Sequence, residues 1–359
     1  MSRGRAGARA ATTTTAVAAP AAAAAALVAV TVAVALAAGG CRKAPRRGGG
    51  PPGPVTALVA RDAEASGEPN TLALVAGVPV DLALTPSHVY WVELGSLGAE
   101  DGRLVRVPRR GGAVEPLALH LSSPSALVID GDDLLWTNLH DGAVQRLRLG
   151  PGPLGPPETL LAGEEAGGSE ALALSPERIF IAQRKSGLVA WLPRAGGPLR
   201  RIVWRDGSPS SIASHGDALF WLTRTWSSQA EGALSRWTDR DASVLVRTGS
   251  NPSALRVDAA AAYWIDDVGL HMLGHGQGDA ELLLAGDLYR ALAIDGVYAY
   301  VFRAAGDGVD LLRVPTHGGG DVNRIAGTDW PTAIEVGDDA IYVLSQRDPQ
   351  HGRVLRLPR

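Results

Sequence analysis

Six polar side chains are the first candidates for chemistry. They are Glu93, Asn138, Gln183, Thr223, Asp266 and Ser345. In six of seven repeats such a residue lies two positions after the anchor, usually aromatic, of the second apolar run; the sixth repeat is out of register. Each closes an apolar run ahead of a turn, where such side chains commonly cap the hairpin by bonding to loop amides. They are also chemically unlike one another, which suits contact with an asymmetric ligand. The sequence leaves both roles open.

Two further kinds of chemistry are possible at this end of the predicted strands. Glu93, Asn138 and Asp266 carry oxygen atoms, which calcium prefers as ligands, so these three side chains form a candidate metal set. Trp226 and Trp330 fall in segments at the same end of the predicted strands. An exposed indole there could stack on a sugar or a peptide, and the alternative is a tryptophan that packs its own loop.

Motifs for covalent or metal catalysis are absent from the sequence. There is no GxSxG, no HExxH and no cysteine pair, since Cys41 is the single cysteine. His271 and His275 have HxxxH spacing, but they fall on a predicted strand and its hairpin loop rather than on one face of a helix. We therefore assign no catalytic residue and no cofactor.

The candidate residues belong to a unit that is repeated along the chain. From Trp91 to Val343, six intervals separate seven copies of the second apolar run, about 42 residues each. A third run, typified by RLVRVP and RVLRLP, also occurs seven times. Four short apolar runs separated by Asp, Gly and Pro indicate four-stranded antiparallel meanders. The predicted fold is all-β, a seven-bladed β-propeller.

The seventh copy lacks a fourth strand after its third run. Residues 71–77, TLALVAG, match the fourth runs ETLLAG (158–163) and ELLLAG (281–286) and precede the first repeat. We therefore predict that this N-terminal strand pairs with residues 353–357 and closes the last blade, which hides an open sheet edge.

The repeats resemble known propeller families. YWID (263–266) and LWTN (135–138) are similar to the YWTD repeats of low-density-lipoprotein-receptor-type propellers, and PSALVIDGDDLLW resembles TolB- and NHL-like repeats. The resemblance covers about residues 70–359 and implies the fold without an activity. Seven copies and the lack of cysteine-rich neighbours depart from the YWTD family. A calcium site at Glu93, Asn138 and Asp266 would resemble lactonase-type propellers.

The N-terminal region predicts export and anchoring. Residues 1–41 combine an arginine-bearing start, the apolar stretch 21–38 and Gly-Gly before Cys41, which resembles a bacterial lipobox with Ala38 where Leu is preferred. An uncleaved membrane anchor is the alternative. Residues 42–54, RKAPRRGGGPPGP, indicate a flexible basic tether, and 55–359 the propeller.

These features predict a lipoprotein, lipidated at Cys41 and held on the periplasmic or extracellular side of a membrane. Because Arg42 is not the aspartate associated with inner-membrane retention, the outer membrane is favoured if the host is Gram-negative. The net charge of −3, with both signs interspersed, argues against a nucleic-acid partner. We expect a module that binds or scaffolds a protein, peptide or glycan. The alternative is a metal-dependent, lactonase-like hydrolase with its site at the central channel.

Overall fold

The computed structural model describes residues 70–359, except 97, 151, 153, 163–167, 206, 226–230, 240, 277, 306–307, 319 and 349–350. The predicted signal peptide with Cys41, the tether, the propeller boundary at residue 55 and Trp226 lie outside the described residues. Every regular element in the described part is a β-strand, and no helix there is long and apolar enough to cross a membrane.

The strands follow one another as seven meanders, and an additional strand precedes the first. That strand is β1 (Thr71–Val75). Blades 1 and 2 consist of β2 (Pro79–Leu84), β3 (His88–Glu93), β4 (Gly102–Pro108), β5 (Glu115–Leu121), β6 (Pro124–Asp130), β7 (Asp133–Asn138), β8 (Val144–Arg148) and β9 (Glu158–Leu161). Blades 3 and 4 consist of β10 (Ala171–Leu174), β11 (Arg178–Gln183), β12 (Leu188–Pro193), β13 (Arg200–Val203), β14 (Ser208–His215), β15 (Ala218–Arg224), β16 (Gly232–Thr238) and β17 (Asp241–Thr248).

The remaining blades continue the same order. Blades 5 and 6 consist of β18 (Ser253–Val257), β19 (Ala261–Ile265), β20 (Gly269–Gly274), β21 (Glu281–Ala285), β22 (Tyr289–Ile294), β23 (Tyr298–Ala305), β24 (Gly308–Pro315) and β25 (Asn323–Thr328). Blade 7 consists of β26 (Trp330–Val336), β27 (Ile341–Asp348), β28 (His351–Leu357) and β1, in the order β1-β28-β27-β26. The chain is a seven-bladed β-propeller.

The first strands of the blades form the innermost layer. Each contacts the first strands of both neighbouring blades, so these seven strands close a ring around a central channel. Their starts tolerate proline: β2 and β6 begin at Pro79 and Pro124, and the register shifts immediately afterwards. Proline cannot donate to the ladder, so a strand start or a bulge is where it fits.

Antiparallel pairing defines two faces of the ring. First strands begin and second strands end at one face, which we call the upper face. The turns from first to second strand and from third to fourth strand lie at the other, the lower face. Glu93 and the equivalent residues close second strands and therefore lie at the upper face, as predicted.

The predicted closure of the last blade is confirmed. β1 pairs antiparallel with β28, and Thr71, Ala73, Leu74 and Val75 lie opposite residues 352–355. Ala73 and Val75 are buried in the cluster that contains Trp91 and Tyr342, which joins blade 7 to blade 1. The core as a whole lies between adjacent blades, so both faces of each sheet are covered and the second strands are apolar nearly throughout.

Candidate functional site

The six predicted ring residues are all buried, at or near the upper ends of second strands. In blade 1, the Trp91 indole N–H donates to Glu93 Oε1 at 2.9 Å, and Arg103 binds Glu93 Oε2 at 2.7 Å. Gly77 packs directly against this carboxylate, and a Cβ there would lie 2.6 Å from Oε2. Glu93 is therefore fully engaged within the protein.

Asp266 accepts more hydrogen bonds than Glu93 does. Its Oδ1 accepts from His271 Nε2 at 2.8 Å and from the backbone N–H groups of Val268 and Gly269, while its Oδ2 accepts from Trp264 and from Gly249. Burial by itself would raise the pKa of Asp266, but the hydrogen bonds from His271 and Val268 outweigh it and hold that pKa below its usual value. The carboxylate caps its own hairpin and ties blade 5 to the loop after blade 4.

The other four ring residues also serve their own blades or stay without a hydrogen bond. Asn138 Nδ2 donates to Gln145 Oε1 at 3.2 Å, and Ser186 donates to Gln183 at 2.9 Å. Thr223 Oγ1 and Ser345 Oγ are buried without a hydrogen-bond partner among the described residues. The contacts seen at this ring are those of the capping role.

The candidate metal set of Glu93, Asn138 and Asp266 is spread over the ends of three second strands. They belong to blades 1, 2 and 5, and within the described ranges no group of three or more His, Cys, Asp or Glu is placed to hold a metal ion. His271 and His275 also diverge, since His271 binds Asp266 and His275 Nε2 bonds to the Asp258 carbonyl at 2.8 Å.

Among the predicted ligand contacts that the structure describes, Trp330 is the exposed one. It begins β26 at the upper end of the channel, and 48% of it is exposed. The Arg290 guanidinium carbon lies 5.2 Å from its ring centroid. Arg290 is the second residue of β22, the neighbouring first strand, so a flat aromatic surface and a cation stand side by side where the channel opens.

The channel itself holds three charged residues that the sequence reasoning missed. Asp81 lies on β2, Arg256 on β18 and Glu335 on β26, and Arg256 lies 3.5 Å from Glu335. The side chains of Glu335 and Arg256 remain 39% and 34% exposed, so both are accessible to solvent. For Arg256 and Glu335 the available signal was a charge at one apolar position of the first run, in ALRV and AIEV, where other repeats have Ala or Val.

Burial perturbs both acids. It raises the pKa of Asp81 to about 6, against hydrogen bonds from the Leu127 and Leu82 amides and the nearby Arg256 charge. Burial also raises the pKa of Glu335, which Arg256 lowers and Asp81 raises further. Two carboxyl groups thus share one arginine in the channel, an arrangement that can bind a polar or charged group and exchange a proton near pH 6.

Comparisons with known proteins bear on the fold. No protein-family profile matches the sequence, and a search of curated proteins finds no match. Solved structures do match. A puromycin-hydrolysing peptidase of Mycobacterium tuberculosis aligns at 16% identity and a TM-score of 0.60, over 79% of this chain and 51% of that one. These likenesses show the propeller fold.

Two other similar structures differ in what their names describe. A putative 6-phosphogluconolactonase from Bacteroides uniformis aligns at 14% identity and a TM-score of 0.53, over 70% of this chain and 86% of that one. The extracellular domain of a putative one-component system from Bacteroides thetaiotaomicron aligns at 12% identity and a TM-score of 0.56, over 78% of this chain and 38% of that one. Since a propeller hosts many functions, this propeller's role has to be argued from its own residues.

Proposed function

We propose that the protein is a membrane-tethered, extracytoplasmic binding module whose ligand enters the channel from the upper face. The observation that carries the proposal is the half-exposed Trp330 beside Arg290, at the mouth of the channel that contains Asp81, Arg256 and Glu335. Such a mouth offers a stacking surface, a cation and buried polar groups on one path.

The ligand class that fits is a protein segment, peptide or glycan with a polar or charged end. A flat ring or an apolar side chain would lie on the indole, and the polar end would reach Arg256 and the two acids. Binding is favoured over hydrolysis because the charged groups of the channel comprise two acids and one arginine, with no nucleophile paired to a base among them.

The binding role is tested with arrays of glycans and peptides probed with the purified full chain. For a hit on either array, Trp330→Ala should weaken binding by about 1–3 kcal/mol with little change in stability. The matched control is Trp204→Ala, because Trp204 is 54% exposed beside Arg201 and Arg205 on an outer strand edge. Equal losses for both variants would contradict a site at the channel mouth.

The hydrolase alternative is tested by metal analysis. The contacts of Glu93 and Asp266 lead us to expect no tightly held calcium in the purified protein. One calcium per chain that Glu93→Gln and Asp266→Asn abolish, together with lactone hydrolysis only in its presence, would replace the binding role with the enzymatic one.

The tether is proposed from Cys41 and the leader alone. Intact mass spectrometry of membrane-extracted protein should give a chain that starts at Cys41 and carries added acyl mass. Cys41→Ser should leave the precursor unprocessed while the propeller folds normally. Unmodified mass with Met1 retained would contradict lipidation and favour the uncleaved anchor.

A further inference from the structure

Five third-strand arginines occupy equivalent positions, each opposite a second-strand residue in the same register. The pairs are Tyr90 with Arg106, Leu135 with Arg146, Phe220 with Arg236, Tyr300 with Arg313 and Tyr342 with Arg356. This equivalence allows the surroundings of one arginine to be compared directly with those of the other four.

Four of the five guanidinium groups have a partner. Arg106 binds Glu115 at 2.8 Å, and Arg146 binds Glu158 at 2.6 Å. Arg356 lies 3.3 Å from Asp339, and the guanidinium carbon of Arg313 lies 4.7 Å from the Tyr298 ring centroid. The repeat therefore normally neutralises or covers this cation.

Arg236 is the exception. Its Nε, like that of Arg313, is buried without a hydrogen-bond partner among the described residues. Unlike Arg313, which lies over the Tyr298 ring, Arg236 forms no ion pair or ring contact with any described residue. The cause can be read from the register. Glu115 and Glu158 stand directly across from their arginines on the fourth strand, whereas Ser243 stands across from Arg236. The second-strand neighbour is Phe220, which lacks the tyrosine hydroxyl.

The unpaired guanidinium faces a pocket of about 250 Å³ at the lower face, between blades 4 and 5. Phe220, Leu245, Ala262 and Leu273 provide apolar walls beside Arg236. His275 forms another wall, held in place by its bond to the Asp258 carbonyl and by ring contacts with Phe220 and His215 at 5.6 and 5.8 Å. The pocket is thus already shaped before a ligand enters.

We propose that this pocket binds a small carboxylate with an apolar body. A guanidinium pairs with a planar carboxylate through parallel hydrogen bonds, which would satisfy the buried Nε of Arg236. The apolar walls accept the rest of the ligand and remove it from water. The site lies at the opposite face from the channel mouth and is independent of the function proposed above.

Benzoate is the probe, and isothermal titration calorimetry with the purified full chain is the measurement. Benzoate should bind at one site per chain. Benzyl alcohol should bind far more weakly because it lacks the charge. Inorganic phosphate and sulfate should also bind far more weakly, because they lack the apolar body. Phosphate or sulfate binding as tightly as benzoate would overturn the assignment of an amphipathic carboxylate, and so would the absence of benzoate binding.

Two variants locate the site. Arg236→Gln should weaken benzoate binding at least about tenfold. Arg106→Gln, which changes the equivalent arginine of blade 1, should leave it unchanged. Ser243→Glu places a carboxylate where blades 1 and 2 carry one, so it should abolish benzoate binding while raising the melting temperature. Benzoate affinity that survives both Arg236→Gln and Ser243→Glu would overturn the proposal, and the melting curves verify that each variant is folded.

Discussion

The closing strand provides the sharpest stability prediction, because buried and exposed positions alternate along it. Val75 is 1% exposed and packs in the cluster that joins blades 7 and 1, whereas its neighbour Leu74 is 48% exposed. Val75→Ala removes two buried methyl groups. At about 0.8 kcal/mol for each, plus the cost of the cavity they leave, the free energy of unfolding should fall by about 2 kcal/mol.

The assay is thermal unfolding followed by calorimetry, and a loss of this size lowers the melting temperature of a domain this large by about 3 °C. Leu74→Ala is the matched control, because it shortens a larger side chain in the same strand at the surface and should change stability by no more than about 0.5 kcal/mol. Equal effects of the two variants would refute the placement of β1 on β28.

A chain that lacks residues 1–77 should lose several kcal/mol of unfolding free energy and expose the edge of β28. A truncated chain that melts like the full one would refute the circular arrangement.

Two further predictions concern titrating groups. The pKa of Asp81 is raised to about 6, so the folded state binds this proton more tightly than the unfolded state does. The Asp81 contribution to stability should therefore fall by about 2 kcal/mol as the pH rises from about 4 to 6, and level off near pH 7. Urea unfolding across this range should show the fall in the natural protein and not in Asp81→Asn. The pKa of Asp266 is lowered, so its contribution is present above the unfolded-state pKa of about 3.9 and is lost as the pH falls below it. Asp266→Asn should therefore lower the free energy of unfolding by about 2 kcal/mol at pH 7 and by less at pH 3. The control Asp279→Asn, at an exposed carboxylate, should change it by almost nothing at either pH. A loss at Asp266 that does not depend on pH would contradict the role of its charge.

The fold was predictable because its determinants are local and repeated. Trp91, Trp136, Trp221 and Trp264 recur at one position and are all buried, as a propeller core requires. The closing strand was predictable because residues 71–77 match other fourth strands in sequence. Neither inference needed knowledge of which side chains meet across the ring.

The site was harder to predict because it depends on distant partners. The hydrogen bonds that Trp91 and Arg103 donate to Glu93 cannot be read from sequence spacing, and they hold its carboxylate within its own blade. Arg256 and Glu335 are far apart in the chain and meet only because first strands line a common channel. That Arg236 lacks the ion pair of Arg106 and Arg146 depends on the strand register, which places Ser243 rather than a glutamate opposite it.

The position of β1 has a mechanical consequence. The chain ahead of Asn70 leads directly into the outermost strand of blade 7, whose first ladder pair is Thr71 with Leu355. A pull on that preceding chain is therefore carried first by the short β1–β28 ladder, before any load reaches the other six blades. Under tension from an anchored N-terminus, the ring would open at this strand, and single-molecule pulling from the N-terminus should show an early, small extension that pulling between two inner blades lacks.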